Sequence, residues 1–174
     1  MRNIESKFRC SDHEGMARRA LGIGARDEGL LQQRDQFYGV PQGRLKLRVF
    51  GDGRSELISY DRDDTPEARA SEYSLHATSD ASTLDEVLSR ALSRTGSLEK
   101  SRRLLIHGNT RIHLDDVVGL GRFVELETVI HGRTESEAER EHGEVIRALG
   151  LGALERISVG YVDLMNRTGD NIGV

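Results

Sequence analysis

About eight stretches of this chain alternate apolar and polar residues with a period of two, near residues 2–10, 27–37, 43–50, 55–62, 69–79, 98–107, 110–116 and 122–131. Successive side chains of an extended strand point to opposite faces, so each stretch reads as a strand with one buried face. Gly51-Asp52-Gly53 separates the third from the fourth as a two- or three-residue hairpin turn would, which makes neighbouring strands antiparallel. Three other segments carry a helical period. Ser11 to Leu21 opens on a capping box of Ser11 and Glu14 and stops at Gly22. Ser82 to Arg94 places Leu84, Val87, Leu88, Ala91 and Leu92 on one stripe and is ended by Gly96. Thr134 to Leu149 is acidic in its first turn, carries Ala138, Val145, Ile146 and Leu149 on one side, and ends before Gly150. The stretch from Ile157 to Met165 fits a short strand or a short helix equally well.

The polar faces of the strands are the informative part. Asn3, Glu5, Lys7 and Arg9 share one face of the first strand; Arg44, Lys46 and Arg48 form a row on the third. Lys100 with Arg102, then Arg111 with His113 and Asp115, then Glu125 with Glu127, follow on later strands. One reading is the solvated face of an open antiparallel sheet. Against it, the rows are sorted by sign, where a merely soluble face intersperses charges. Like charges along one strand repel, so something must compensate them. Three helices are available to cover the apolar face from outside, which lets eight strands close into a barrel with a polar lumen. Seven inward cations (Lys7, Arg44, Lys46, Arg48, Lys100, Arg102, Arg111) against four carboxylates (Glu5, Asp115, Glu125, Glu127) leave a local excess of three positive charges in a chain whose net charge is -4. That suits a compact polyanion such as a phosphate chain. Oxygen-only carboxylate ligands suit Mg2+ or Mn2+, which bridge carboxylates to phosphate oxygens.

Composition removes several other classes. A length of 174 residues fits one domain spanning 1–174. Cys10 is the only cysteine, so no internal disulfide forms, and no Cys/His cluster has zinc spacing. With 25 basic against 29 acidic residues, 5% aromatics and no Trp, the chain lacks the basic footprint of a nucleic-acid binder. No run approaches the length of a membrane span, and the opening MRNIESKFRC lacks the apolar middle of a signal peptide, so a cytoplasmic location without membrane partners is expected.

Asn3-Ile-Glu5-Ser-Lys7 resembles the ExExK signature of the CYTH superfamily, which groups class IV adenylyl cyclases, thiamine triphosphatases and inorganic triphosphatases on an eight-stranded triphosphate tunnel. QRDQFYGVPQGRLKLR (33–48) is similar to the class IV cyclase segment leading into GRLKLR, and LISYDR (57–62) and SEY (71–73) resemble the strands that follow it. KSR (100–102) matches the family's KxR, and RIHLDDVVGLGRFVELE (111–127) resembles its aspartate strand, glycine turn and closing ExE. The resemblance implies an α+β fold: a closed eight-stranded antiparallel β-barrel with a charged lumen and helices packed outside. It implies that Glu5, Glu125 and Glu127 bind Mg2+ or Mn2+, and that Asp115 assists at the metal or orients a basic neighbour. Lys7, Lys46, Arg48, Arg62, Lys100 and Arg102 would hold the triphosphate, with Glu5, Lys7 and Asp115 as the catalytic set and Arg44 and Arg111 behind them. Asn3 departs from the signature, which has Glu there.

The activity implied is that of a metal-dependent enzyme on ATP, tripolyphosphate or thiamine triphosphate. Three readings stay open: a cyclase making cyclic AMP and pyrophosphate, a triphosphatase, and a non-catalytic polyphosphate or nucleotide binder that Asn3 keeps in play. A homodimer is compatible with all three. His113 lies between Arg111 and Asp115, where a structural hydrogen bond is favoured over general-base work. Tyr60 and Tyr73 read as packing residues, and the other histidines as surface or core ones.

Overall fold

Strand β1 (Arg2–Arg9) has antiparallel partners along both edges, and this turns a sheet into a barrel. In the computed structural model, which describes residues 2–61 and 69–169, eight long strands follow one another as β1, β2 (Arg26–Tyr38), β3 (Arg44–Phe50), β4 (Ser55–Asp61), β5 (Arg69–Thr78), β6 (Arg94–His107), β7 (Thr110–Val117) and β8 (Gly121–Val129). Hydrogen-bonded neighbours run β5-β4-β3-β2-β6-β7-β8-β1, and pairing of β1 with β5 closes the ring. A two-residue strand, β9 (Arg156–Ile157), pairs with β1 at Lys7 and Phe8. The helices are α1 (His13–Gly22), α2 (Ala81–Ala91), α3 (Glu135–Leu149) and α4 (Tyr161–Gly169). The stretch left undecided by its sequence thus holds the end of a strand and the start of a helix.

Closure sorts the strand faces. The outward set (Phe8, Cys10, Leu105, Ile112, Leu114, Val124 and Leu126) packs on Met16, Ala17 and Ala20 of α1 and on Val145 and Leu149 of α3. Leu105, Ile112 and Leu126 are fully buried there, each worth about 1.5–3 kcal/mol of apolar transfer. Under α3 a chain of buried polar groups ties the helix to three strands: Thr110 Oγ1 to Glu141 (2.8 Å) and to Thr128 Oγ1 (2.9 Å), Thr128 Oγ1 to His142 Nδ1 (2.8 Å), and His142 Nε2 to Ser6 Oγ (2.8 Å). Burial holds the His142 imidazole neutral, its pKa pushed down to about 4.

Three local expectations change. Asp12, not Ser11, caps α1, accepting the Gly15 N–H at 2.8 Å. Helix α2 ends at Ala91, where Leu92 turns extended, and Gly96 lies inside β6 opposite Phe37 rather than stopping the helix. α2 buries none of its residues, so the covering of the barrel falls to α1 and α3. The third helix is as read: Thr134 and Glu137 form a capping box, and Gly150 closes it with a left-handed φ of 70°. Among the described residues no helix is long and apolar enough to cross a membrane.

Candidate active site

The inward faces of β1, β2, β3, β6, β7 and β8 meet in the lumen, and register decides which residues face each other. Across neighbouring strands Glu5 lies opposite Glu127, Lys7 opposite Glu125, Arg111 opposite Glu127, His113 opposite Glu125, Arg102 opposite Asp115, and Arg48 opposite Asp35. Where the facing residues have opposite charge, these backbone pairings become ion pairs. Asp115 accepts two bonds from Arg102 (Nε and Nη2, both 2.6 Å) and one from Lys100 Nζ at 3.0 Å. Asp35 repeats the arrangement on the other side, accepting two bonds from Arg48 at 2.7 Å and one from Lys46 Nζ at 3.0 Å. Glu125 takes Lys7 Nζ at 3.1 Å and Arg102 Nη2 at 2.9 Å, while Glu127 accepts from Arg111 Nη1 at 2.9 Å and from Asn3 Nδ2 at 2.8 Å.

The sign-sorted rows are therefore compensated within the protein. Burial alone would raise the pKa of each of these carboxyls, yet Arg48 and Lys46 hold Asp35 far below the usual range, and Arg102 and Lys100 do the same for Asp115. Lys7 and Arg102 keep Glu125 well down, and Arg111 keeps Glu127 down, against the same burial. Burial, with Arg102 nearby, keeps His113 neutral.

Burial and Arg48 lower the pKa of Lys46, and the larger fall is at Lys100. Burial and the adjacent Arg102 outweigh Asp115 and lower its pKa to about 7. Between that value and the ordinary lysine pKa of about 10.4 the unfolded chain binds more protons, so stability on this account rises with pH from about 7 to about 10. A polyanion in the lumen favours the charged amine and must draw a proton in. Near pH 8.5, tripolyphosphate binding by the wild type should take up about one proton more than binding by Lys100→Gln, as calorimetry in buffers of different ionisation enthalpy would show. Equal proton counts would place Lys100 away from the anion.

One end of the lumen is apolar. Phe37, Leu98, Val117 and Phe123 share the inward strand face with the charged rows, and they pack against Ile157, Val159, Tyr161 and Val162 of the C-terminal segment. Tyr161 stands at the boundary. Its hydroxyl donates to Asp115 Oδ2 at 3.0 Å, and its ring centroid lies 3.7 Å from Lys7 Nζ and 5.1 Å from Lys100 Nζ. Arg44 bonds Asp163 of α4 at 2.8 and 3.0 Å, which joins β3 to this segment.

The carboxylates were read as ligands for Mg2+ or Mn2+, and their chemistry fits. All donors are oxygens, and Asn3 adds a buried Oδ1 that has no hydrogen-bond partner. Among the described residues, no three Asp, Glu, His or Cys side chains converge on a common point. That arrangement suits a hard cation that is held by one or two carboxylates and takes its remaining ligands from phosphate and water.

Of the residues singled out from the sequence, Glu5, Lys7, Lys46, Arg48, Lys100, Arg102, Asp115, Glu125 and Glu127 all belong to this lumen face, while Arg62 lies outside the described residues. Asp115 is the orienting partner of Lys100 and Arg102. Arg44 is directed to α4, and Arg111 to Glu127. Tyr60 is half-buried with its ring 5.5 Å from Lys46 Nζ. Two residues escaped the sequence reading. Asp35 lowers the cationic excess by one, and its signal was available, since it alternates with Gln33 and Phe37 opposite the Arg48 row. Tyr161 had no such signal, because a nine-residue tail carries no register.

The CYTH domain model matches residues 1–161. Among curated proteins no match is found. A structure of a protein from Pyrococcus horikoshii is similar with a TM-score of 0.84 at 24% identity, covering 93% of this chain and 98% of that one. A candidate adenylate cyclase from Vibrio parahaemolyticus gives 0.74 at 20% identity over 94% and 97% of the two chains. A candidate adenylyl cyclase from Hippeastrum, in which triphosphatase activity dominates, gives 0.68 at 13% identity over 96% of each. These likenesses are of fold.

Proposed function

Because the chain belongs to the CYTH domain family, we propose that it is a divalent-metal-dependent enzyme acting on a triphosphate, with class IV adenylyl cyclase chemistry as its leading reaction. One observation carries the reading: inside a closed barrel, two buried aspartates each hold a Lys and an Arg, and Arg102 of one set also reaches Glu125. Asp35 and Asp115 fix the cations in rotamers that a phosphate chain can use without reorganisation. Lys7, Lys46, Arg48, Lys100 and Arg102 bind its oxygens, and Lys100 gains its proton as the anion arrives. Glu5, Glu125 and Glu127 would hold Mg2+ or Mn2+, which when bound neutralises charge on the phosphates. In the cyclase reaction the ribose 3'-hydroxyl attacks the α-phosphorus and pyrophosphate leaves, its developing charge met by the lysines and arginines.

Hydrolysis is the second reading. In it water attacks the terminal phosphorus in the same lumen, and the triphosphatase activity of the Hippeastrum protein favours it. Incubating the protein with Mn2+ or Mg2+ and either ATP or tripolyphosphate decides between them: cyclic AMP with pyrophosphate marks the cyclase, ADP or pyrophosphate with phosphate marks the hydrolase. Tight binding without turnover at any metal concentration would leave a nucleotide or polyphosphate binder and overturn both.

Asn3 sets the metal requirement. Its amide donates to Glu127, so Asn3→Glu replaces a hydrogen bond with two facing carboxylates. The metal-free variant should melt below the wild type, and its affinity for Mn2+ or Mg2+ should rise about tenfold, since the added charge is relieved only by a cation. An unchanged metal titration would take position 3 away from the ion.

A further inference from the structure

The charged part of the lumen ends on a wall built by the chain itself. Ile157, Val159, Tyr161 and Val162 are at most 8% exposed and form one apolar cluster with the inward Phe37, Leu98, Val117 and Phe123 of the neighbouring strands β2, β6, β7 and β8. Tyr161 is its polar-facing surface, with Lys7 and Lys100 against its ring, Asp115 on its hydroxyl, and the Phe123 ring 5.0 Å away. The wall is anchored twice, by β9 on β1 and by Arg44 on Asp163.

We propose that the lumen is a dead end: it takes triphosphates that have one free terminus, and these enter terminal phosphate first and stop against Tyr161. The inference rests on the triphosphate reading given above and adds a substrate class to it. A phosphate held by Lys7, Lys100 and Arg102 has the Tyr161 ring directly behind it. A second organic group on that phosphate would have to displace a packed apolar cluster, which costs the burial of several large side chains. Nucleoside triphosphates and tripolyphosphate are therefore admitted, whereas dinucleoside polyphosphates and the interior of a long polyphosphate chain are not. The organic group of an admitted substrate lies away from Tyr161, at the opposite side of the phosphate chain.

The test is calorimetric titration of the wild-type protein, with Mg2+ present, by tripolyphosphate, ATP and diadenosine tetraphosphate. The last carries about the charge of ATP with both ends esterified, so charge is not the variable. ATP and tripolyphosphate should bind, and diadenosine tetraphosphate should bind at least about tenfold more weakly than ATP. A difference smaller than tenfold overturns the dead end while leaving the triphosphate reading in place. Failure of both ATP and tripolyphosphate to bind would instead overturn the triphosphate reading.

Discussion

Asp115→Asn should melt on the order of 10 °C below the wild type, a loss of about 3–5 kcal/mol, and tripolyphosphate should restore more of that deficit than it adds to the wild type. Asparagine keeps the shape of the side chain but removes the charge that Lys100 and Arg102 share in a fully buried position. Breaking a buried pair from one side leaves a cation uncompensated, and here Lys100 and Arg102 both lose Asp115 while Arg102 keeps only Glu125. A phosphate oxygen can take the vacated place, so the ligand becomes the missing counter-ion. The sign with pH follows from Lys100. Without Asp115 its amine is still easier to deprotonate than in the wild type, so the deficit should shrink as the pH rises towards about 7, where the wild-type lysine sheds its charge as well, and should stay level above that. A variant that melts with the wild type would mean that Asp115 costs as much in desolvation as it returns.

Glu125→Gln combined with Glu127→Gln should lower metal-dependent turnover by about a thousandfold or more, because both oxygen donors keep their shape and lose their charge. Anion binding without metal should move the other way. Lys7, Arg102 and Arg111 each lose one carboxylate partner in the double variant and meet the triphosphate with less compensated charge. Steady-state rates across a Mn2+ titration, set beside metal-free tripolyphosphate affinity, separate the two effects. Wild-type turnover in the double variant would remove the metal from these residues.

How far the sequence carries depends on which physical signal each residue leaves. Strand faces are legible because a period of two is strict, and Ile112, Leu114, Val124 and Leu126 go outward as their alternation requires. The cation rows and the closing glutamates are legible for the same reason, and the ordered motifs add their assignment to a family. Compensation of those rows by Asp35 depends on β2 being the neighbour of β3 in the correct register, and that pairing is a tertiary fact. The end of α2 misleads because Gly96 looks like a helix stop, while a tight turn after Ala91 already starts β6 at Arg94. The apolar wall has no local signature. Ile157 to Met165 is too short for either period to show, and its partners Phe37, Leu98 and Phe123 come from three distant strands.

The seam between β1 and its partners also sets the order of assembly. Asn3 pairs with Ser71 on one edge and with Val129 on the other, and Lys7 pairs with Ile157, so β1, made before the other strands of the barrel, is the last whose edges are filled. During synthesis β2 to β4 can zip as hairpins while β1 waits about sixty residues for β5 and more than a hundred for β8. Contacts of such sequence separation fold slowly, because loop closure is lost before pairing returns anything. Until β8 arrives, Ile4 and Phe8 sit on an unpaired edge beside a cation-rich half-barrel, and removing residues 2–9 leaves an open sheet whose two free edges, on β5 and β8, can each accept a strand from another copy.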